Sequence, residues 1–191
     1  VTLKLQPLPP YKIDMLAIFH DQMAAIGVVP QLVKAGIDPT SIEYMDNPNV
    51  RTTSEYLEFP GAPHIEDGIY VIITIETFNE DELDMKMEQA SDICEAAGAV
   101  DVLEADERIW SMRRNCLESV SLISKVCTTD DVVVPVDEMS DMIQYIIKTV
   151  AKYPFPLRIN AHIGDGNLHI VLCKLDVSDE EWESELSRFT E

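Results

Sequence analysis

The chain has 191 residues, 46% of them hydrophobic and 26% charged, the composition of one large folded domain or two small ones rather than of a disordered or fibrous chain. Its formal charge of −21 is spread along the whole length with no cluster of Lys and Arg, which argues against nucleic acid and anionic membrane as partners. Apolar runs such as Val132-Val133-Val134 are far too short to span a bilayer, so no integral membrane segment is expected, and no signal peptide is visible.

From the N-terminus, Val1-Thr2-Leu3-Lys4-Leu5-Gln6 reads as the middle of a strand, followed by a linker from Pro7 to Pro10. Met15 to Phe19 reads as a strand. Asp21 is placed to cap a helix that runs to Lys34 and closes at Gly36, with a kink or restart at Pro30. A strand at Ser41 to Met45 precedes a short helical piece near Asn49 to Glu58. The segment from Phe59 to Gly68, rich in Pro and Gly, reads as loop, and Ile69 to Glu76 as the next strand. From Asn79 a capped helix carries Leu83, Met87, Ala90, Cys94 and Ala97 on one stripe, Gly98 ends it, and Ala99 to Leu103 forms a strand.

Strand, helix, strand, strand, helix, strand is the split βαβ order. The predicted class is therefore α+β, a ferredoxin-like antiparallel sheet over residues 11–104 with helices on one face. Residues 105–191 extend it as a second α+β half: a helix from Asp106 to about Leu122, an extended run from Asp131 to Pro135, a helix from Asp137 or Glu138 to Lys152, a β-hairpin, and a helix starting near Ser178. The four cysteines, Cys94, Cys116, Cys127 and Cys173, are widely spaced with no Cys-x-x-Cys pair. Reduced thiols in a cytoplasm are the simplest expectation.

The hairpin is the most informative part. In His162-Ile163-Gly164-Asp165-Gly166-Asn167-Leu168-His169, Asp165-Gly166 is a favoured centre for a two-residue turn. That register pairs Gly164 with Asn167, Ile163 with Leu168 and His162 with His169. Side chains alternate along a strand, so His162, His169, Asn160 and Val171 share one face, and Ile159, Ala161, Ile163, Leu168, Ile170 and Leu172 the other. The apolar face would meet the core and the histidine face a cleft. Opposed Cβ atoms lie about 4.5–5.5 Å apart, close enough for two imidazoles to reach one cation at about 2.0–2.1 Å. A hairpin with Asp-Gly at its tip also forms without any function, and two ligands do not complete a metal site.

The string from His162 to His169 closely resembles the His-x-Gly-Asp-Gly-Asn-x-His signature of the C-terminal cap domain of FAD-linked oxidases, a family that includes the glycolate oxidase FAD subunit, D-lactate dehydrogenases and D-2-hydroxyglutarate dehydrogenase. Three further segments resemble that domain in order: Val1-Thr2-Leu3-Lys4-Leu5, Trp110-Ser111-Met112-Arg113, and Asp131-Val132-Val133-Val134-Pro135. The resemblance implies that residues 1–10 are the exit from an FAD-binding domain absent from this chain. It also implies that the chain caps a small 2-hydroxy acid whose hydride passes to the flavin. His162 and His169 would be ligands of a divalent metal such as zinc, iron or manganese. Arg113 would hold the substrate carboxylate, a role that suits a planar guanidinium, although arginines on such a helix are also commonly solvated. Asn160, on the histidine face, is a further candidate for substrate contact. Gly164 and Gly166 are expected to take unusual backbone angles, and Asp165 or Asn167 to cap amides or orient a ligand histidine.

The family's third metal ligand and proposed catalytic base lie in a glycine-rich Glu-His motif beyond the last helix of this chain, so the resemblance implies a fragment that is inactive alone. Dicarboxylate-specific members carry a lysine and an asparagine where this chain has Thr129 and Val171, which favours a monocarboxylate such as lactate or glycolate. Two other readings stay open: a free-standing ferredoxin-like module that binds metal or a small molecule, and an acidic interaction domain for an electron-transfer flavoprotein or an iron–sulfur subunit.

Overall fold

The computed structural model describes residues 2–5 and 7–190. Seven strands form one sheet: β1 (Tyr11–Phe19), β2 (Ser41–Met45), β3 (Ile69–Thr77), β4 (Asp101–Glu104), β5 (Cys127–Val133), β6 (Leu157–His162) and β7 (Asn167–Cys173). Their order is β4-β1-β3-β2-β6-β7-β5, and every pairing is antiparallel. The first four strands have the order expected of a split βαβ unit, with β1 parallel to β2 and β3 inserted between them. β2 then pairs with β6, so the ferredoxin-like half and the hairpin half share a single sheet.

Seven helices cover this sheet: α1 (Gln22–Lys34), α2 (Asn47–Tyr56), α3 (Glu80–Ala96), α4 (Glu107–Arg114), α5 (Cys116–Ser119), α6 (Met139–Val150) and α7 (Asp179–Thr190). Asp21, Asn79 and Asp106 cap α1, α3 and α4 by accepting hydrogen bonds from backbone N–H groups of the first turn. Helices α1, α3, α6 and α7 pack on the face formed by Met15, Ala17, Tyr44, Val71, Ile73, Ile159, Ala161, Leu168 and Ile170. The other face is covered as well: Leu16, Ile18, Met45, Tyr70 and Ile72 meet Val50 of α2, Ile109 and Met112 of α4, and Cys116 of α5. A sheet buried on both sides reads as an unbroken apolar run, which is why Met15 to Phe19 and Ile69 to Ile75 do not alternate.

Several expectations change. The helix predicted from Asp106 to Leu122 breaks at Asn115, whose side chain donates to Ser111 O (2.8 Å) and so competes with the helical backbone; a 3₁₀ turn at Val120–Leu122 follows α5. The α1 helix passes through Pro30 without restarting. The N-terminal strand does not form within Thr2–Leu5, where Leu3 and Leu5 are exposed and no neighbouring strand accepts the backbone groups; Val1 and Gln6 lie outside the described residues.

The hairpin register also differs. His162 pairs with Asn167 and Asn160 with His169, leaving Ile163–Gly166 as a four-residue connection. Contacts from outside the hairpin fix this register: Gly164 N–H donates to Ile42 O (3.2 Å) and Val134 N–H to Gly166 O (3.0 Å), while Asp165 N–H closes the turn onto His162 O (3.0 Å). A shift of two in the pairing sum leaves every side chain on its predicted face. Ile159, Ala161, Ile163, Leu168, Ile170 and Leu172 are all buried in the core, and the histidines face the opposite side.

Candidate functional site

The site is built where the histidine face of β6 and β7 meets the helices of the second layer. His162 ends β6, His169 lies on β7, and their rings stand 5.0 Å apart between centroids at 84°. Across the β2–β6 pairing, Glu43 is directly opposite His162. Its carboxylate receives the His162 Nδ1 at 2.9 Å (Oε1) and 2.8 Å (Oε2). From above, α4 brings Arg113, whose Nη2 lies 2.9 Å from Glu43 Oε2. Glu43 is thus a buried anion shared by one arginine and one histidine, and Arg113 is itself nearly buried.

His169 is held from the other side by an exposed carboxylate. Its Nδ1 hydrogen-bonds the carboxylate of Asp131, its register partner on β5. An ionised carboxylate only accepts, so each Nδ1 is the donor of its pair, and in the neutral ring the Nε2 lone pair is the one left for a ligand. Imidazoles backed in this way by carboxylates are the usual form of metal-ligating histidine. His162 and His169 are the two residues here that could hold a divalent ion; among the described residues no third His, Cys, Asp or Glu joins the two within 4.8 Å.

Beside these groups lies a cavity of about 250 Å³, lined by Arg113, Thr129, Asp131, Asn160, His169 and Val171 among others. Arg113 Nε and Nη2 are buried and lack a hydrogen-bond acceptor, the Glu43 contact matching charge without the required angle. Arg113 also forms part of the cavity wall. Thr129 and Val171 face each other across β5 and β7 in the cavity wall, and neither offers a cation or an amide.

The turn residues divide. Gly166 has φ +75°, and a Cβ there would meet Val134 O at 2.0 Å. Gly164 keeps an ordinary φ but lies against Ile42 N, 3.3 Å from where its Cβ would be. Neither Asp165 nor Asn167 orients a histidine: Asn167 Oδ1 is buried without a partner, and Glu43 and Asp131 perform that task. The sequence alone singles out neither carboxylate for this role. The available signal for Glu43 was a charged residue inside the short apolar strand Ile42-Glu43-Tyr44-Met45, all four of which are buried.

Asp46, at the end of β2, anchors the same wall. Its carboxylate accepts from Asn49 N (2.9 Å), Asn49 Nδ2 (2.8 Å) and Ile159 N (2.6 Å), tying α2 to β6. Burial pushes its pKa up to about 6 against the pull of those hydrogen bonds and of Arg158.

Residues 8–191 match the model of the C-terminal domain of FAD-linked oxidases. The chain belongs to that family. A D-lactate dehydrogenase of Anaerostipes hadrus is 30% identical over 99% of this chain and 42% of its own length. Glycolate oxidase subunit GlcD of Bacillus subtilis is 29% identical over 93% of the chain and 38% of its own. The chain therefore spans about two fifths of these relatives. Among solved structures, p-cresol methylhydroxylase shares the fold of this FAD-linked oxidase C-terminal domain with a TM-score of 0.68 at 12% identity, covering 95% of the chain and 42% of that protein. Alkyldihydroxyacetonephosphate synthase does so with 0.63 at 13%, covering 96% and 40%. Among the described residues no helix is long and apolar enough to cross a membrane.

Proposed function

We propose that this domain is the substrate-side portion of an FAD-dependent 2-hydroxy-acid dehydrogenase or oxidase acting on a small monocarboxylate of the D-lactate or glycolate type. The observation that carries the reading is the convergence of Arg113 and His162 on the buried Glu43, with His169 and the 250 Å³ cavity beside them. Arg113 binds the substrate carboxylate from the cavity wall, with Asn160 beside it. The hydroxyl end then faces His162 and His169. Glu43 holds Arg113 and His162 at a fixed separation, and Asp131 holds His169, so the carboxylate grip and the hydroxyl grip keep one spacing. Thr129 and Val171 supply no partner for a second carboxylate, which selects against dicarboxylic acids.

His162 and His169 would hold a divalent ion such as zinc, iron or manganese through Nε2. Such an ion would lower the pKa of the substrate hydroxyl, and FAD, when bound, would accept the hydride. In this reading residues 1–10 lead from the FAD-binding portion, residues 11–104 and 105–191 form the two halves of the cap, and residues 1–191 alone turn over no substrate. The charge of −21 suits a basic docking face on an electron-accepting partner such as an electron-transfer flavoprotein or an iron–sulfur subunit.

The test is anaerobic flavin bleaching in the whole protein. D-lactate or glycolate should reduce the flavin and D-2-hydroxyglutarate should not, and Arg113→Met should raise KM by about a hundredfold, the loss of a charge-assisted carboxylate contact of roughly 2–3 kcal/mol. Flavin inert to every 2-hydroxy acid, or an unchanged KM, would refute the proposal.

A further inference from the structure

The domain has four histidines, and they form two pairs. The second pair stands far from the first in the sheet. His20 follows the last residue of β1, and His64 lies in the loop between α2 and β3, with ring centroids 5.8 Å apart. Asp67 of the same loop places Oδ1 3.3 Å from His20 Nε2, and Asp101, the first residue of β4, places Oδ2 3.5 Å from His64 Nε2. One donor atom each from His20, His64 and Asp67 lies within 4.8 Å of the others. Two segments distant in sequence thus bring two imidazoles and one carboxylate to one point, with the Asp101 carboxylate beside His64, at the β1 and β4 end of the sheet and away from β6 and β7.

The loop that carries His64 is held on both sides of it. Tyr70 Oη donates to Pro63 O. Gly68 N–H and Asp67 N–H both donate to His64 O, at 2.6 and 3.3 Å. Asn47 Nδ2 donates to Ile65 O and Gly68 O, each at 3.1 Å. Within this frame His64 adopts φ +47°, in the left-handed region, and Gly68 packs so closely that a Cβ would meet His64 O at 2.6 Å. A side chain in that conformation costs free energy, and the surrounding hydrogen bonds fix it in place. The imidazole is therefore presented by a rigid turn rather than by a loosely solvated loop.

We propose that His20, His64 and Asp67, with Asp101 beside them, form a second divalent metal site of the zinc class, which ties the loop between α2 and β3 to the ends of β1 and β4. Two imidazole nitrogens with carboxylate oxygen suit Zn²⁺ and its neighbours Co²⁺ and Ni²⁺, whereas Mg²⁺ and Ca²⁺ prefer oxygen alone and Cu⁺ prefers sulfur. The side chains are partly exposed, 46% for His20 and 35% for His64, so an ion can enter from solvent, and water completes its shell. The strongly negative domain raises the local cation concentration. The role is structural: the ion would join the end of β1, the loop between α2 and β3 and the start of β4, three segments distant in sequence.

The experiment is a calorimetric titration with Zn²⁺ alone, on protein carrying His162→Ala and His169→Ala so that the hairpin pair cannot contribute. One equivalent should bind and raise the melting temperature. Adding His20→Ala or His64→Ala should weaken binding by about tenfold or more and remove the thermal shift, with His20→Gln as a milder check that the fold is intact. Absence of saturable Zn²⁺ uptake in the hairpin variant, or uptake indifferent to His20→Ala together with His64→Ala, would overturn the proposal.

Discussion

Glu43 and His162 face each other in register across β2 and β6, with the His162 Nδ1 2.8 Å from Glu43 Oε2, and that same oxygen lies 2.9 Å from Arg113 Nη2. One buried carboxylate therefore sets the position of a cation on α4 and an imidazole on the hairpin.

Replacing Glu43 by Gln leaves the Arg113 charge buried without its counter-charge. The variant should lose about 3 kcal/mol of stability in urea unfolding, the range seen when one partner of a buried pair is removed. Arg113→Met combined with Glu43→Gln should cost less than the two single changes added together, because the pair is removed as a unit. Strict additivity would mean that the two residues do not interact.

Asp131 acts on His169 as Glu43 acts on His162, but from the edge strand. Asp131→Asn keeps the shape and removes the charge that orients the ring. In the whole protein, metal affinity measured by competition with a chelator should fall about 10- to 100-fold while the fold is unchanged.

Gly166 combines φ +75° with a 2.0 Å approach of its missing Cβ to Val134 O. Gly166→Ala must both strain the backbone and push away the Val134 segment, which breaks the Val134 N–H to Gly166 O bond. The expected loss is at least about 2 kcal/mol. Gly164→Ala, whose Cβ would lie 3.3 Å from Ile42 N, should cost less, and thermal unfolding of the two variants ranks them.

Asp46 gives a pH dependence of defined sign. Its carboxyl titrates near 3.8 in the unfolded chain and at about 6 in the fold, where burial disfavours the charge. Between those values the folded state binds more protons, so this group's contribution to stability is complete below about 4 and is lost as pH rises through about 6, by on the order of 3 kcal/mol. Carboxyl NMR should find the Asp46 titration near pH 6. The fall in stability from pH 4 to pH 7 should be steeper in the native protein than in Asp46→Asn.

Local signals in the sequence are legible where local physics decides. Asp21, Asn79 and Asp106 stand at helix starts because their side chains satisfy first-turn N–H groups wherever the helix is packed. The two faces of the hairpin follow from alternation alone, and they survive a register shift because the shift is even. The register itself is not legible, since β2 and the Val134 segment impose it from 122 (Ile42 to Gly164) and 32 (Val134 to Gly166) residues away, a distance that turn chemistry cannot see. The second helical layer was missed for a related reason: the unbroken runs in β1 and β3 signal burial on both faces, but nothing local says which helices supply the cover. His162, His169 and Arg113 were named from the motif. Glu43 and Asp131, which hold them, escaped because a carboxylate acquires this role only through the strand that the fold places beside it.

The most direct test of the proposed site is the whole protein with His162→Ala and His169→Ala, assayed together for bound metal, bound flavin and the rate of flavin reduction by D-lactate or glycolate. Flavin should stay bound, the hairpin metal should be lost, and reduction should slow by about a hundredfold or more, as expected when a Lewis acid that would stabilise a developing alkoxide is withdrawn. A variant that retains its full metal content and reduces its flavin at the native rate would contradict the proposal.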